Sequence, residues 1–275
     1  MNRLLVKVGC NALFVSFIAV LLGFITTTCY AEIVTLTDNN SMVQVDPSSQ
    51  AGTQPWIVNG NNYLVKQWFW LRIGATSPEQ SLDTLSTPLI SQSDAADCQI
   101  VYDNSKGLAV TLKYGLTGGE PGSGFSDLSE IIKFTNRGAT PLDLHFFQYA
   151  NFKLSDGNDT VQFPSSSQVV QTAPGVGLSE TVVTGFPQHH EAANVPTTLN
   201  KLNDGLPTTL NDNNGPITGD VNWAFQWDIT LAPAHSFIIS KDKTIDVPEP
   251  TALVLLGMGI GCMVFRIRKW RTAKV

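Results

Sequence analysis

His189-His190-Glu191 sets three proton carriers or metal ligands side by side. Adjacent residues on a strand point to opposite faces, so one ion could not easily reach all three. No further His or Cys stands at a standard zinc spacing,. Asp156-Gly157-Asn158-Asp159 resembles a fragment of a calcium loop, but the twelve-residue pattern and its closing Glu are missing,. The segment reads mainly as a hairpin turn, with Asp156, Asn158 and Asp159 as a weak calcium candidate. Gly118-Gly119-Glu120-Pro121-Gly122-Ser123-Gly124 lacks the Lys-Ser/Thr of a phosphate loop,. Cys98 is the lone cysteine of residues 32–246, with no Cys-His pattern around it, so no disulfide can form within that segment,. Gly-x-Ser-x-Gly, His-Glu-x-x-His and paired-carboxylate motifs do not occur. These residues point to no catalytic set, no metal centre and no cofactor.

The aromatic residues offer a different chemistry. Trp56, Trp68, Trp70, Trp223 and Trp227 fall in the central part of the chain. Such side chains fill a core or make a flat platform for sugar rings. In Trp68-Phe69-Trp70 both faces of one strand are apolar. That strand is either buried on both sides or has a binding face, with Trp68 and Trp70 the candidate platform.

The elements that must position these groups are strands. Trp223, Phe225, Trp227, Ile229 and Leu231 alternate with mostly polar residues, a strict period of two,. Pro233 breaks the run, and Ser236–Ser240 follows, predicting a C-terminal hairpin. Leu108–Tyr114, Ser129–Thr135, Leu142–Phe152 and Tyr63–Ile73 carry similar patterns, and Thr160–Phe163, Gln168–Gln171 and Thr181–Thr184 add shorter ones. Gly, Pro, Asn and Asp separate them. Short strands with such turns predict an all-β exported domain with a β-sandwich-like fold. Residues 185–222 form a long loop with few apolar anchors. Within it, Pro196-Thr197-Thr198-Leu199-Asn200 recurs as Pro207-Thr208-Thr209-Leu210-Asn211. The repeat reads either as a slipped duplication in a tolerant surface loop or as a flap over one edge of the sheet.

Residues 32–246 hold 22 of the 23 acidic residues and 10 of the 17 basic ones, a net charge near −12 against −6 for the whole chain. An acidic surface argues against nucleic acid as a partner. Both ends are instead cationic and apolar. Arg3 and Lys7 precede an apolar run ending in small residues, the pattern of a secretory signal peptide over 1–31,. At the other end, Val247-Pro248-Glu249-Pro250 leads into an uncharged run at 251–265 and then into Arg266, Arg268, Lys269 and Arg271. The prolines fix φ and stiffen the tetrapeptide. Fifteen helical residues rise roughly 22 Å, so this short single transmembrane helix needs help from its flanks. The basic residues form a cytoplasmic stop.

That order resembles the PEP-CTERM sorting signal of Gram-negative bacteria, over about a tenth of the chain. The resemblance implies that an exosortase-like membrane transpeptidase recognises Val247–Pro250 and processes the tail (247–275). It also implies export: an inner-membrane-anchored precursor, then the cell envelope or a polysaccharide-rich extracellular matrix. The reading is therefore a non-catalytic exported protein. The alternative is a carbohydrate-binding module for exopolysaccharide, and an envelope hydrolase has no motif to support it.

Overall fold

The computed structural model describes residues 32–104 and 107–247. The expected signal peptide (1–31), Pro248, Glu249, Pro250, the span 251–265 and Arg266, Arg268, Lys269 and Arg271 lie outside the described residues. In chain order the strands begin β1 (Val34–Asp38), β2 (Ser41–Asp46), β3 (Gly52–Val58), β4 (Asn61–Asn62), β5 (Leu64–Ile73) and β6 (Gln80–Ser81). After a 3-10 turn (Leu82–Thr84) come β7 (Leu89–Gln92), β8 (Asp97–Asp103), β9 (Leu108–Gly118), β10 (Phe125–Asn136), β11 (Leu142–Phe152) and β12 (Asp159–Ser165). The rest are β13 (Gln168–Ala173), β14 (Val176–Thr184), β15 (His189–Asn194), helix α1 (Thr197–Lys201), β16 (Ile217–Gly219), β17 (Val221–Leu231) and β18 (Ser236–Asp246).

Among the described residues the fold is all-β, and the strands form two nine-stranded sheets. Sheet A runs β1-β2-β3-β5-β11-β17-β15, with β4 on β3 and β6 on β5. Sheet B runs β16-β12-β13-β14-β18-β10-β9-β8-β7. Pairing is antiparallel apart from a short parallel contact of β3 with β5.

The core lies between the sheets because alternate residues of every central strand are large and apolar. Phe146 of β11 stacks on Phe69 of β5, meets Phe134 of sheet B edge-on and touches Trp227 of β17. Phe152, Trp56 and Trp223 make a second aromatic knot. The alternation read at 223–231 therefore holds, with all five apolar residues buried.

Three sequence expectations change. β17 and β18 do not form a hairpin: β17 lies in sheet A and β18 in sheet B, so the turn at 232–235 carries the chain between layers. The Asp156-Gly157-Asn158 loop likewise joins β11 of sheet A to β12 of sheet B and is not a hairpin turn. The third change is in 185–222, which is no open loop. It contains β15, α1 and β16, and is packed down. Among the described residues, no helix is long and apolar enough to cross a membrane.

Candidate functional site

Sheet A has a second face, turned away from sheet B. Register places its residues in rows: Arg72, His145 and Asp228; then Trp70, Phe147, Gln226 and His189; then Trp68, Tyr149, Ala224 and Glu191. This palette is aromatic and polar, and it is mostly covered. One cover is the arm 74–86, where Glu79 pairs with Arg72, and Ser81 and Asp83 accept from the Trp68 indole N–H. The other is the segment 195–214, here called the flap. Its Asn203 accepts from Trp70 Nε1 at 3.3 Å. The Leu210 N–H donates to Gln226 Oε1 at 2.9 Å, and the Thr208 carbonyl accepts from Arg72. The flap and arm also meet each other, since the Thr208 N–H donates to Glu79 Oε1 at 2.9 Å.

Glu191 pins the flap. Its carboxylate, 1% exposed, accepts from Thr198 Oγ1 at 2.8 Å, Lys201 Nζ at 2.6 Å and the Asn211 N–H at 3.3 Å. Both copies of the Pro-Thr-Thr-Leu-Asn repeat thus reach one acid. The tolerant-surface-loop reading is corrected: the segment is a docked flap, with Thr198, Leu202, Thr208 and Leu210 buried. It covers the outer face as well as an edge.

Trp68 and Trp70 are fully buried beneath it, so they form no open platform for a sugar ring. The physical reason is that both faces of β5 are covered, Phe69 by sheet B and the two tryptophans by arm and flap.

At the rim of the flap lies an alternating row of acids and imidazoles. His145 Nδ1 lies 2.5 Å from Asp228 Oδ1, and its Nε2 lies 3.5 Å from Asp143 Oδ1. His189 reaches Asp212 at 2.9 Å and Asp228 at 3.7 Å. His190 bonds Asn214 Oδ1 at 2.8 Å, with Asp212 3.6 Å from its other nitrogen. β11, β15 and β17 supply the fixed members, and the flap supplies Asp212. Burial pushes the Asp212 carboxyl up, but the His189 hydrogen bond, the His190 N–H and both imidazoles outweigh it and hold it below the usual range. The partly exposed members of this row, Asp143, His189, Asp212 and Asp228, can hydrogen-bond a polyol,. His189 and His190 face opposite sides, as the strand requires, while Glu191 serves the flap. Among the described residues, no three His, Cys, Asp or Glu side chains are grouped to hold a metal ion.

The calcium candidate is broken up. The Asp159 carboxylate accepts the N–H groups of Leu154 and Ser155, the Ser155 hydroxyl and the Gln171 amide, so its acceptor sites are filled. Asp156 is fully exposed and pairs with Lys153 at 3.0 Å, while Asn158 is exposed. The three do not converge. Burial pushes the Cys98 thiol up to about 12, which keeps it from being a thiolate nucleophile,.

Between the sheets lies a sealed charge network that sequence patterning did not reveal. Lys241 and Lys243 of β18 face Glu130 of β10 and Glu180 of β14, all at most 1% exposed. Lys243 Nζ is 2.7 Å from Glu130 and 3.1 Å from Glu180, and Lys241 is 3.3 Å from Glu180 and also bonds Glu130. Sheet A supplies Gln67, which donates to Glu130 at 2.6 Å, and Gln148, which donates to Glu180 at 3.0 Å. Burial raises the Glu130 carboxyl, yet the two ammonium groups win and hold it at about 2. The network has no opening for substrate.

The last described residue leads to the tail. Asp246 pairs with Phe125 on one side and Gly177 on the other, and the Val247 N–H donates to the Gly124 carbonyl at 3.1 Å. The folded domain thus runs directly into Pro248. Residues 246–269 carry a PEP-CTERM protein-sorting motif. This PEP-CTERM motif implies an exported, membrane-anchored precursor processed by an exosortase-type system. No curated protein matches the chain in sequence. In solved structures the domain resembles an Escherichia coli K12 protein assigned as an aldose 1-epimerase, at 12% identity and TM-score 0.54, covering 78% of this chain and 99% of that one. A GalM/aldose epimerase homologue from C. elegans gives 8% and 0.52, covering 80% and 100%. A bacterial glucoamylase complexed with acarbose gives 8% and 0.56, covering 84% of this chain and 36% of the glucoamylase. At these identities the likeness is one of fold.

His145, Asp212 and Asp228 were not singled out by sequence reasoning. Their signal was indirect: the repeat ending at Asn211, next to Asp212, and the polar positions of β11 and β17.

Proposed function

We propose that this protein is a non-catalytic cell-surface or extracellular-matrix component, exported and sorted through its C-terminal tail. The observation that carries the reading is the PEP-CTERM motif at 246–269, joined without a spacer to a folded β domain. An exosortase-type enzyme grips the stiff Pro248-Glu249-Pro250 while the following run holds the chain in the membrane. The mass of the mature protein from its native envelope tests this. Sorting predicts loss of the residues after Pro250 and of residues 1–31. The double variant Pro248→Ala with Pro250→Ala is expected to stay unprocessed, and its normal maturation would falsify the recognition step.

A second reading is a carbohydrate-binding module for exopolysaccharide. Two observations favour it: the partly exposed His–Asp row at the flap rim, and a fold shared with an assigned aldose 1-epimerase and an acarbose-bound glucoamylase. Retarded migration in polysaccharide gels, lost in Asp228→Ala, supports that reading. Unretarded migration of the intact domain removes it, and shortened polysaccharide would point to a hydrolase instead.

A further inference from the structure

Val247, the last described residue, is anchored, and Pro248 follows it directly in sequence, which limits how the tail can be gripped. β18 is an interior strand of sheet B, held by β10 and β14 through Asp246. Val247 adds its own bond to Gly124 and packs against the core. Gly124 has φ +70°, and a Cβ there would lie 1.9 Å from the Val247 carbonyl oxygen, so only glycine lets the loop close over the strand end,. Consecutive Cα atoms are about 3.8 Å apart, so Pro250 lies at most about 11 Å from Val247.

Any protein that encloses Pro248–Pro250 must therefore meet the surface around Val247. That surface is a shaped rim. The Gly122 N–H donates to Asn59 Oδ1 at 3.0 Å, the Ser123 N–H to the Glu120 carbonyl at 2.9 Å, and Asn40 Nδ2 to the Phe125 carbonyl at 3.1 Å. Across β18, the turn Pro174–Gly175 is exposed beside Val176. The loop 118–125, the turn 173–177 and residues 244–247 contain Glu120 and Asp246 and no lysine or arginine.

We propose that this rim, formed by loop 118–124 and turn 173–176 around Val247, is a docking surface for the outer face of the membrane-embedded processing enzyme. The proposal rests on the sorting reading above. The glycine-rich loop, which matches no phosphate site, is the part of the domain that lies against the enzyme while the tail is cut. Its glycines at 122 and 124 hold positive φ and add no side chain beside Val247,.

The test uses the full-length precursor in its native host, with the mass of the mature form as readout. A small folded domain is inserted between Pro121 and Gly122. The control insertion follows Ala139, at the other end of β10, about 36 Å away along twelve strand residues of β10,. The Pro121 insertion is expected to drop processing to the background of the Pro248→Ala, Pro250→Ala variant, while the Ala139 insertion matures normally. A flexible Gly/Ser spacer of about 12 residues between Val247 and Pro248, spanning roughly 20 Å, is expected to restore processing of the Pro121 insertion. Normal maturation of that insertion without the spacer overturns the proposal, and so does failure of the spacer to rescue it. If the unmodified precursor keeps its tail, the sorting reading itself has failed, which is a separate result.

Discussion

Sheet A borders two acid–base networks, one that sheet B presents to its inner face and one on its own outer face, and the two are built to opposite rules. On the inner face, Glu130, Glu180, Lys241 and Lys243 are sealed, two charges of each sign, with Gln67 and Gln148 capping the carboxylates. On the outer face, His145, His189, Asp212 and Asp228 sit at the flap rim, partly wet. Desolvation makes each missing partner expensive in the first network, whereas water replaces a missing partner in the second. The inner network therefore fixes how the two sheets meet. The outer one can change without endangering the fold, and that is where ligand contact could evolve.

The largest expected effect follows from breaking the inner network. Glu130→Ala leaves two ammonium groups facing one carboxylate, and is expected to cost about 3–5 kcal/mol in chemical denaturation. Replacing Glu130, Glu180, Lys241 and Lys243 together with methionine should cost less than that single change, because no uncompensated charge remains. If the single variant loses under about 1 kcal/mol, the network is wetter than its burial indicates. The same network sets an acid limit. The Glu130 carboxyl is held at about 2 in the fold, below its ordinary value near 4.5. Its contribution is present above the ordinary value and is lost as pH falls from there through about 2. Denaturation midpoints measured across that window should decline, and should decline less in the four-methionine variant.

The next effect concerns the pin between sheet and flap. Glu191→Ala strands the buried Thr198 hydroxyl and the Asn211 N–H, at about 1–3 kcal/mol,. Hydrogen exchange should rise across 196–211 while β10 and β18 stay protected. Uniformly unchanged protection would mean that the flap is held by Leu202 and Leu210 and not by the acid.

Most of the strands were legible because their alternation is a property of single residues. The pattern at 223–231 states which face is apolar, and β17 forms where it says. Partner choice was not legible. Pro233-Ala234-His235 looks the same whether the chain turns back on itself or crosses to another layer, and the outcome is visible only in the strand partners, β11 and β15 for β17 against β10 and β14 for β18. The flap was legible only as one of two alternatives, for a related reason. Its anchors are small polar side chains such as Thr198 and Asn211, whose value depends on Glu191 being beneath them. The other face of β17 reads as mostly polar, yet Gln226 on it is buried, with the flap donating the Leu210 N–H to it. The Val247 junction was legible as a motif, while the rim around it needed Gly124 and Asp246 to be placed in space.

The smallest expected effect is the one that best separates the networks. Asp212 is half exposed, bonds His189 and accepts the His190 N–H. Asp212→Ala should cost at most about 1 kcal/mol, in the range of exposed pairs. Acid cannot distinguish it from Glu130, since both carboxyls are held below their ordinary range and both contributions fade as pH falls. Salt can. At about 1 M ionic strength the screening length falls to about 3 Å, so the Asp212→Ala penalty should shrink towards zero. The Glu130→Ala penalty should persist, because screening ions do not enter the sealed layer between the sheets. Equal salt dependence of the two penalties would show that the faces of sheet A are not electrostatically distinct, and the division between a fixed interior and an adaptable rim would fall with it.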